Sequence, residues 1–194
     1  GEYYTPATVL WDVPIAYDEN GQTYQPTNRD GSFRGDIPVR DALQLSLNVP
    51  AVEAFRFLGT AAFQQVAEGM GLRFVEHEEG VLNLGLRTAL GETRVRLLDV
   101  VEAYGTIAND GQFVGLTAIL EITDTNGVNI PLPAPPTTQQ VLSPAAAFLM
   151  QDILSDNTTR TQPGSPFVGN NLLVLNNQPT TVAGADGLAR GRAV

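Results

Sequence analysis

The stretch Arg40–Asp41–Ala42–Leu43–Gln44–Leu45–Ser46–Leu47–Asn48–Val49–Pro50–Ala51–Val52 decides how this chain folds. It reads as a short amphipathic helix that meets a polar Ser-x-Asn step and restarts at once as a second helix. Asp36 is placed to cap the first helix, with Pro38 near the first turn, where a missing N–H costs nothing. Val39, Leu43 and Leu47 then fall on one face at i, i+4 and i+8. The break is expected at Asn48, because a proline disfavours the α region just ahead of it. Pro50 opens the second helix, in which Val52, Phe55 and Leu58 line up until Gly59 ends it. A hydroxyl and a carboxamide, Ser46 and Asn48, are thereby pinched into a rigid two-helix junction. On spacing alone, the step also reads as capping, since Ser and Asn between helices commonly satisfy turn backbone.

Composition bounds what surrounds this junction. A chain of 194 residues has room for one sizeable core, and 43% hydrophobic with 16% charged residues suits a globular fold. The net charge is −10, from 21 acidic residues against 11 basic ones, and every base is arginine. An acidic surface repels phosphate backbones, so nucleic acid is not an expected partner. Cysteine is absent, which excludes disulfides and thiol chemistry. No apolar run is long enough to span a bilayer, and no charged-then-apolar leader is present, so the stretch reads as a soluble domain.

Outward from the junction, the chain reads as α+β and predominantly helical. Residues 1–36 form an extended opening and a loop. Within them Val9–Leu10–Trp11 reads as an edge strand or ordered loop with Trp11 in the core, and Asp18–Gly35 drapes over the surface. Residues 37–111 form the helical region that carries Ser-x-Asn. Thr60 caps a helix to about Met70, with Phe63, Val66, Ala67 and Met70 on one side. Leu82, Leu84 and Leu86 suggest period-two packing. Thr93 caps the longest helix, about 94–109, whose stripe is Leu97, Val101, Tyr104 and Ala108 and whose stop is Asn109–Asp110–Gly111. Residues 112–136 hold a hairpin around Asn126–Gly127 and a proline-rich connector. Ser143–Pro144 starts a helix over 143–157, with Phe148, Leu149, Ile153 and Leu154 apolar. Strands are expected over 172–184. No repeat or interdomain linker interrupts the whole.

Several chemistries are excluded by residue type. One histidine and no cysteine cannot make four-coordinate zinc, so no metal or cofactor is expected. His77 sits among Glu76, Glu78 and Glu79, which reads as solvated charge and not as a triad member. That cluster lacks the alternating ligands and central glycine of a calcium loop. Phosphate-cradling glycine loops are missing too.

The phrases themselves carry a resemblance. Thr8–Val9–Leu10–Trp11–Asp12–Val13–Pro14 and Tyr24–Gln25–Pro26–Thr27–Asn28–Arg29–Asp30–Gly31 lead into Arg40–Asp41–Ala42–Leu43–x–x–Ser46–x–Asn48–x–Pro50–Ala51–Val52. Ala89–Leu90–Gly91–Glu92–Thr93, Ala103–Tyr104–Gly105–Thr106–Ile107–Ala108–Asn109–Asp110–Gly111 and Val141–Leu142–Ser143–Pro144 follow. Together, over about residues 3–184, they resemble the transpeptidase domain of penicillin-binding proteins, most strongly that of bifunctional peptidoglycan synthases. The resemblance implies a partial penicillin-binding/β-lactamase-like transpeptidase fold with a helical subdomain and an incomplete sheet. It implies catalytic roles for Ser46 and Asn48, as the second of three active-site motifs, in cross-linking peptidoglycan stem peptides outside the cytoplasm. β-Lactams would be ligands of the complete domain.

In that family a Ser-x-x-Lys serine attacks the peptide carbonyl while its lysine takes the proton, and a Lys-Thr-Gly strand binds the substrate carboxylate. This chain has no lysine. Where the third motif is due, after Val182–Ala183–Gly184, it reads Ala185–Asp186–Gly187–Leu188–Ala189–Arg190–Gly191–Arg192. The expectation is an internal fragment, inactive alone, whose missing segments of the same domain are its partners. The alternative is a noncatalytic cell-wall peptide-binding or scaffold module. The resembling family also implies that Tyr104 is a large core anchor, and truncation implies exposed apolar surface.

Overall fold

A computed structural model of the chain describes residues 4–19, 21–74, 84–132, 134, 138–156, 158, 174–175 and 178–179. The expectations placed on His77 and its glutamates, on Leu82 and on residues 180–194 lie outside them. Five helices and four two-stranded antiparallel ladders make up the described residues, an α+β arrangement dominated by helix.

Strand β1 (Val9–Asp12) pairs with β4 (Gly35–Pro38), Leu10 opposite Ile37 and Asp12 opposite Gly35. Period-two alternation buries Leu10 and Asp12 and turns Val9 and Trp11 out. Trp11 is 68% exposed, so it is not the core residue expected from its size. Asp36 belongs to β4 and does not cap the helix that follows. The first N–H groups of α1 (Val39–Gln44) are instead satisfied by the opening segment. Val39 N–H donates to the Thr8 carbonyl at 2.9 Å and Arg40 N–H to the Pro6 carbonyl at 3.0 Å.

Between β1 and β4 the chain lies largely at the surface, but it is not loop throughout. It forms a hairpin, β2 (Tyr17–Glu19) with β3 (Gln22–Tyr24), whose Gly21 takes the left-handed φ of 76° that a tight turn requires. From the end of β3 onward, every second residue (Tyr24, Pro26 and Asn28) is buried. Glu19 reaches across to accept the Leu86 N–H at 2.6 Å, at the start of a 3-10 turn over Leu86–Leu90. The period-two reading of Leu84 and Leu86 therefore ends at that turn.

Helix α2 (Asn48–Leu58) starts earlier than the proline suggested. Pro50 is its third residue, where the lost N–H had no partner in the helix anyway. Its Val49, Val52 and Phe55 are buried, while Leu58 lies half out. Gly59 ends it, and α3 (Thr60–Gly69) follows with no side-chain cap from Thr60. The Phe55 and Phe63 rings meet edge-on, 5.1 Å apart, and join the two helices.

Helix α4 (Leu97–Ala108) starts three residues later than its pattern implied, because Val95 is held extended by a bridge to Phe74. Thr93 meets the Thr88 hydroxyl at 2.8 Å and does not cap. The face that α4 buries is Asp99, Ala103, Thr106 and Ile107. Leu97, Val101 and Tyr104 stand on the other side, Leu97 at 79% exposure, so Tyr104 anchors no core among the described residues. Met70, Ala103 and Ile107 form one apolar cluster, packed by Val141, Leu142, Met150 and Leu154. A second cluster joins Ile37, Ala42, Leu45 and Leu47.

The hairpin expected near Asn126–Gly127 is reduced to a turn. Gly127 is left-handed, and Asp124 accepts the Asn126 and Val128 N–H groups at 2.8 Å each. An isolated bridge between Thr123 and Asn129 closes it. Strand β5 (Gln112–Phe113) pairs instead with β6 (Gln139–Gln140). Helix α5 (Pro144–Ser155) opens as its sequence reads, with the Ser143 hydroxyl accepting the Ala146 N–H at 3.2 Å. Phe148 is exposed, whereas Ala147, Gln151 and Ile153 are buried. Strands β7 (Val174–Leu175) and β8 (Gln178–Pro179) pair within the expected 172–184 region.

Two contacts carry testable consequences. Gly111 lies at φ 82°, and its carbonyl accepts the Val141 and Leu142 N–H groups at 2.9 and 3.1 Å. A Cβ there would collide with the Leu142 carbonyl. Gly111→Ala is expected to cost about 2–3 kcal/mol, read as a lower urea midpoint. Arg40 ties α1 to α5 by donating to Asp152 at 2.7 Å and Asp156 at 2.9 Å. Burial alone would raise the Asp156 carboxyl. Hydrogen bonds from the Thr158 side chain and backbone, Arg40 and Gln44 outweigh it and hold the group below the usual carboxylate range. A lowered carboxyl stabilises the fold above its unfolded-state titration and loses that contribution as pH falls through the folded one. Arg40→Ala should therefore cost about 1 kcal/mol near neutral pH and flatten the acid limb of the stability profile, checked by urea titration from about pH 7 to about pH 2.

Candidate active site

The α1–α2 elbow holds both residues singled out by sequence. Leu45 closes α1 by donating its N–H to the Asp41 carbonyl, and Leu47 turns back to donate to Ala42 at 3.0 Å. Between them, Ser46 is forced to φ 55°. A left-handed serine costs on the order of 1 kcal/mol, and no side-chain hydrogen bond offsets it among the described residues. Ser46 is exposed.

Asn48, the first residue of α2, is held at two points from the loop before β4. Its Nδ2 donates to the Thr27 carbonyl at 2.8 Å, and its backbone N–H donates to Asn28 Oδ1 at 2.9 Å. A carbonyl can only accept, so the amide face of Asn48 is fixed toward Thr27. That leaves Oδ1 and one N–H for a ligand. Neither Asn28 nor Thr27 was marked as functional by spacing. Their one sign in the sequence was that both lie in a phrase carrying the resemblance.

Asn28 is itself buried and held. Its Nδ2 donates to both Asp12 oxygens, at 2.7 and 2.9 Å, and to the Ser32 carbonyl at 2.8 Å. Asp12 is fully buried and also accepts the Arg34 N–H at 3.0 Å. The Arg34 guanidinium donates to Asp30 at 2.6 Å and, with the Ser32 N–H, holds that carboxyl well below its usual range.

Ser46 and Asn48 open onto one groove of about 380 Å³, walled by Leu43, Pro50, Ala51 and Leu90. A second hollow of about 420 Å³ shares Ala51 and Ala54 with it and runs on to Tyr4, Phe57 and Phe63. The two polar side chains therefore sit at one end of a mostly apolar trough. No titratable side chain lines the first groove among the described residues. No cluster of three metal-ligating side chains occurs among them either. The elbow can orient a polar ligand, but among the described residues no base sits in the groove to take the Ser46 proton.

Comparison with known proteins shows the family. The model of the penicillin-binding protein transpeptidase domain matches residues 4–170. The chain belongs to that family. Penicillin-binding protein 1A of Clostridium novyi is 33% identical over 158 residues, covering 77% of this chain and 18% of its own length. Among solved structures, penicillin-binding protein 1A from Haemophilus influenzae matches with a TM-score of 0.70 at 21% identity, over 83% of this chain and 28% of that one. The penicillin G acyl-enzyme complex of penicillin-binding protein A from Mycobacterium tuberculosis matches with a TM-score of 0.67 at 21% identity, over 82% of this chain and 40% of that one. The chain thus has a partial penicillin-binding transpeptidase fold, and it spans about a fifth of the length of the curated relatives it matches.

The strained elbow of this transpeptidase segment gives a direct test of capping against presentation. Ser46→Gly is expected to stabilise the chain by up to about 1 kcal/mol, because the backbone relaxes and no hydrogen bond is lost. A lower urea midpoint in this variant would mark Ser46 as an ordinary structural turn residue.

Proposed function

We propose that this chain supplies the second active-site motif of a D,D-transpeptidase that cross-links peptidoglycan stem peptides. On this reading it is inactive by itself. The observation that carries it is the groove: an exposed hydroxyl and an anchored carboxamide share it, no titratable group lines it among the described residues, and the chain has no lysine. Acyl transfer needs an activated nucleophile within hydrogen-bond reach of a base. Both, and the cation for the substrate carboxylate, would come from Ser-x-x-Lys and Lys-Thr-Gly segments outside these residues.

In the assembled site Ser46 would pass a proton between the lysine base and the leaving or entering amine. Its exposed hydroxyl is suited to relay, since it can donate and accept in turn. Asn48 would hold the substrate amide and the lysine with the two atoms that Thr27 leaves open. The apolar trough along α2 and the exposed side of α4 support the fragment reading, because both are surfaces a larger domain could cover. The site would face the extracytoplasmic side, where peptidoglycan lies. No helix among the described residues is long and apolar enough to cross a membrane.

Fluorescent penicillin is the test. The 194-residue chain should give no covalent label. A complete transpeptidase domain containing it should label, and Ser46→Ala or Asn48→Ala within that domain should slow labelling by on the order of 10²-fold. A labelled band from the chain alone would overturn the assignment of the nucleophile elsewhere. Retention on peptidoglycan with no labelling of the complete domain would favour a noncatalytic binding module.

A further inference from the structure

The geometry points to Asn28, backed by the buried Asp12 carboxylate, as the residue that positions Asn48. This deepens the transpeptidase reading and rests on it for its functional meaning. Helix α2 begins without help from its own flank, because Leu47, the residue before it, has no side chain that can accept a hydrogen bond. Two N–H groups at its first turn, those of Asn48 and Val49, instead converge on Asn28 Oδ1 at 2.9 and 3.3 Å. Asn28 thus does from twenty residues away what an N-cap residue does next door.

The orientation of Asn28 is set by its neighbours. An asparagine side chain has one oxygen and one NH2, and their places follow from what they face. Asp12 and the Ser32 carbonyl are acceptors only, so they demand the Nδ2 end. The Oδ1 end is thereby turned toward α2. Asp12 is in turn fixed by the β1–β4 ladder and by the Arg34 N–H. The consequence is a chain of single-valued contacts: strand β1 sets Asp12, Asp12 sets Asn28, and Asn28 sets the backbone from which the Asn48 amide projects. Thr27, the preceding residue, sets the amide plane. Asn28 does not line the groove and acts through Asn48, so its role is positioning.

The test uses the property that amide and carboxylate can exchange places across the Asp12–Asn28 pair. In a nitrogen-15-labelled chain, Asn28→Ala should speed backbone hydrogen exchange at Asn48 and Val49 about ten-fold or more, the worth of the lost hydrogen bonds, while α5 amides keep their rates. Asn28→Asp should do the same, because two carboxylates would then face each other with no donor between them. The double variant, Asp12→Asn with Asn28→Asp, should restore part of the slow exchange. The amide is then on β1 and donates across the pair, and the carboxylate in the loop still accepts from α2, while the Ser32 carbonyl loses its donor and keeps the recovery incomplete. Unchanged exchange at Asn48 in Asn28→Ala would overturn the proposal. So would a uniform speeding across α5, which marks general destabilisation, or a double variant no better than Asn28→Asp. In the complete domain, penicillin acylation should follow the same order, slowed about ten-fold by Asn28→Ala and partly recovered by the exchanged pair. Recovered amide exchange without recovered acylation would refute the positioning role. The exchange arm needs no penicillin, so its failure and the failure of the acyl-transfer reading show in different measurements.

Discussion

A fully buried aspartate is the constraint on which the elbow depends. Removing a carboxylate from water costs several kcal/mol unless donors replace the water. Asp12 finds them in the Asn28 amide and the Arg34 N–H. Both donors lie in the 28–34 loop, so burying Asp12 obliges that loop to fold inward against β1. The same strand pairs with β4, which runs directly into α1. Two routes therefore leave β1 and meet again at the Ser-x-Asn step. One passes through Asn28 to the start of α2, and the other through β4 and α1 to Ser46. Closing that ring forces the tight turn at the elbow, and the left-handed serine is where the closure strain collects.

The far side of α1 is held as firmly. Arg40 grips Asp152 and Asp156, and the Gln44 side chain donates to the Ile153 carbonyl at 3.3 Å. Gln151 makes the matching link to α4 by donating to the Ile107 carbonyl at 2.6 Å. Polar side chains thus satisfy carbonyls of neighbouring helices at both junctions, where an apolar pair would leave register free to slide. The elbow is consequently bracketed between the loop before β4 and the end of α5, and neither helix can rotate without breaking a charge-assisted or buried hydrogen bond.

What the sequence made legible was local. The existence of a two-helix elbow, the Ser143–Pro144 helix start and the glycine stops at Gly59 and Gly111 follow from side-chain size and backbone freedom, and only the elbow's break falls earlier than it was read, at Ser46 and not at Asn48. Long-range polar satisfaction was not legible. Asp36 looked like a cap, yet the carbonyls of Pro6 and Thr8 fill that role, and Asn28 caps a helix twenty residues on. A pattern of residue types carries no record of which distant acceptor will arrive. The choice of face was hidden for a related reason. Helix α4 is apolar on both sides, and periodicity reports that a stripe exists without saying which stripe finds a partner. Asp99 went unmarked as a core residue because a carboxylate looks exposed on paper. Its fork with Arg96, at 2.6 and 3.0 Å, is what makes burial tolerable. Trp11 erred in the opposite direction, since strand alternation puts it on the side away from Leu10 and Asp12.

The division between presentation and reaction follows from these contacts. An alcohol with no base beside it remains protonated at neutral pH and is a poor nucleophile, however well it is placed. Ser46 is in that position among the described residues, while Asn48 has one amide N–H committed to Thr27 and its Oδ1 and second N–H open. A site arranged in this way has its orienting groups rigid before any ligand arrives, and orientation fixed in advance is the part of catalysis that a scaffold can supply by itself. Proton transfer cannot be supplied likewise, because it needs a group whose affinity for protons lies near the working pH. Arginine stays charged throughout that range, and this chain has no other basic side chain except one histidine, in the acidic run at 76–79. Among the described residues the elbow is therefore a rigid holder of a hydroxyl and a carboxamide, with no titratable group lining the groove beside them.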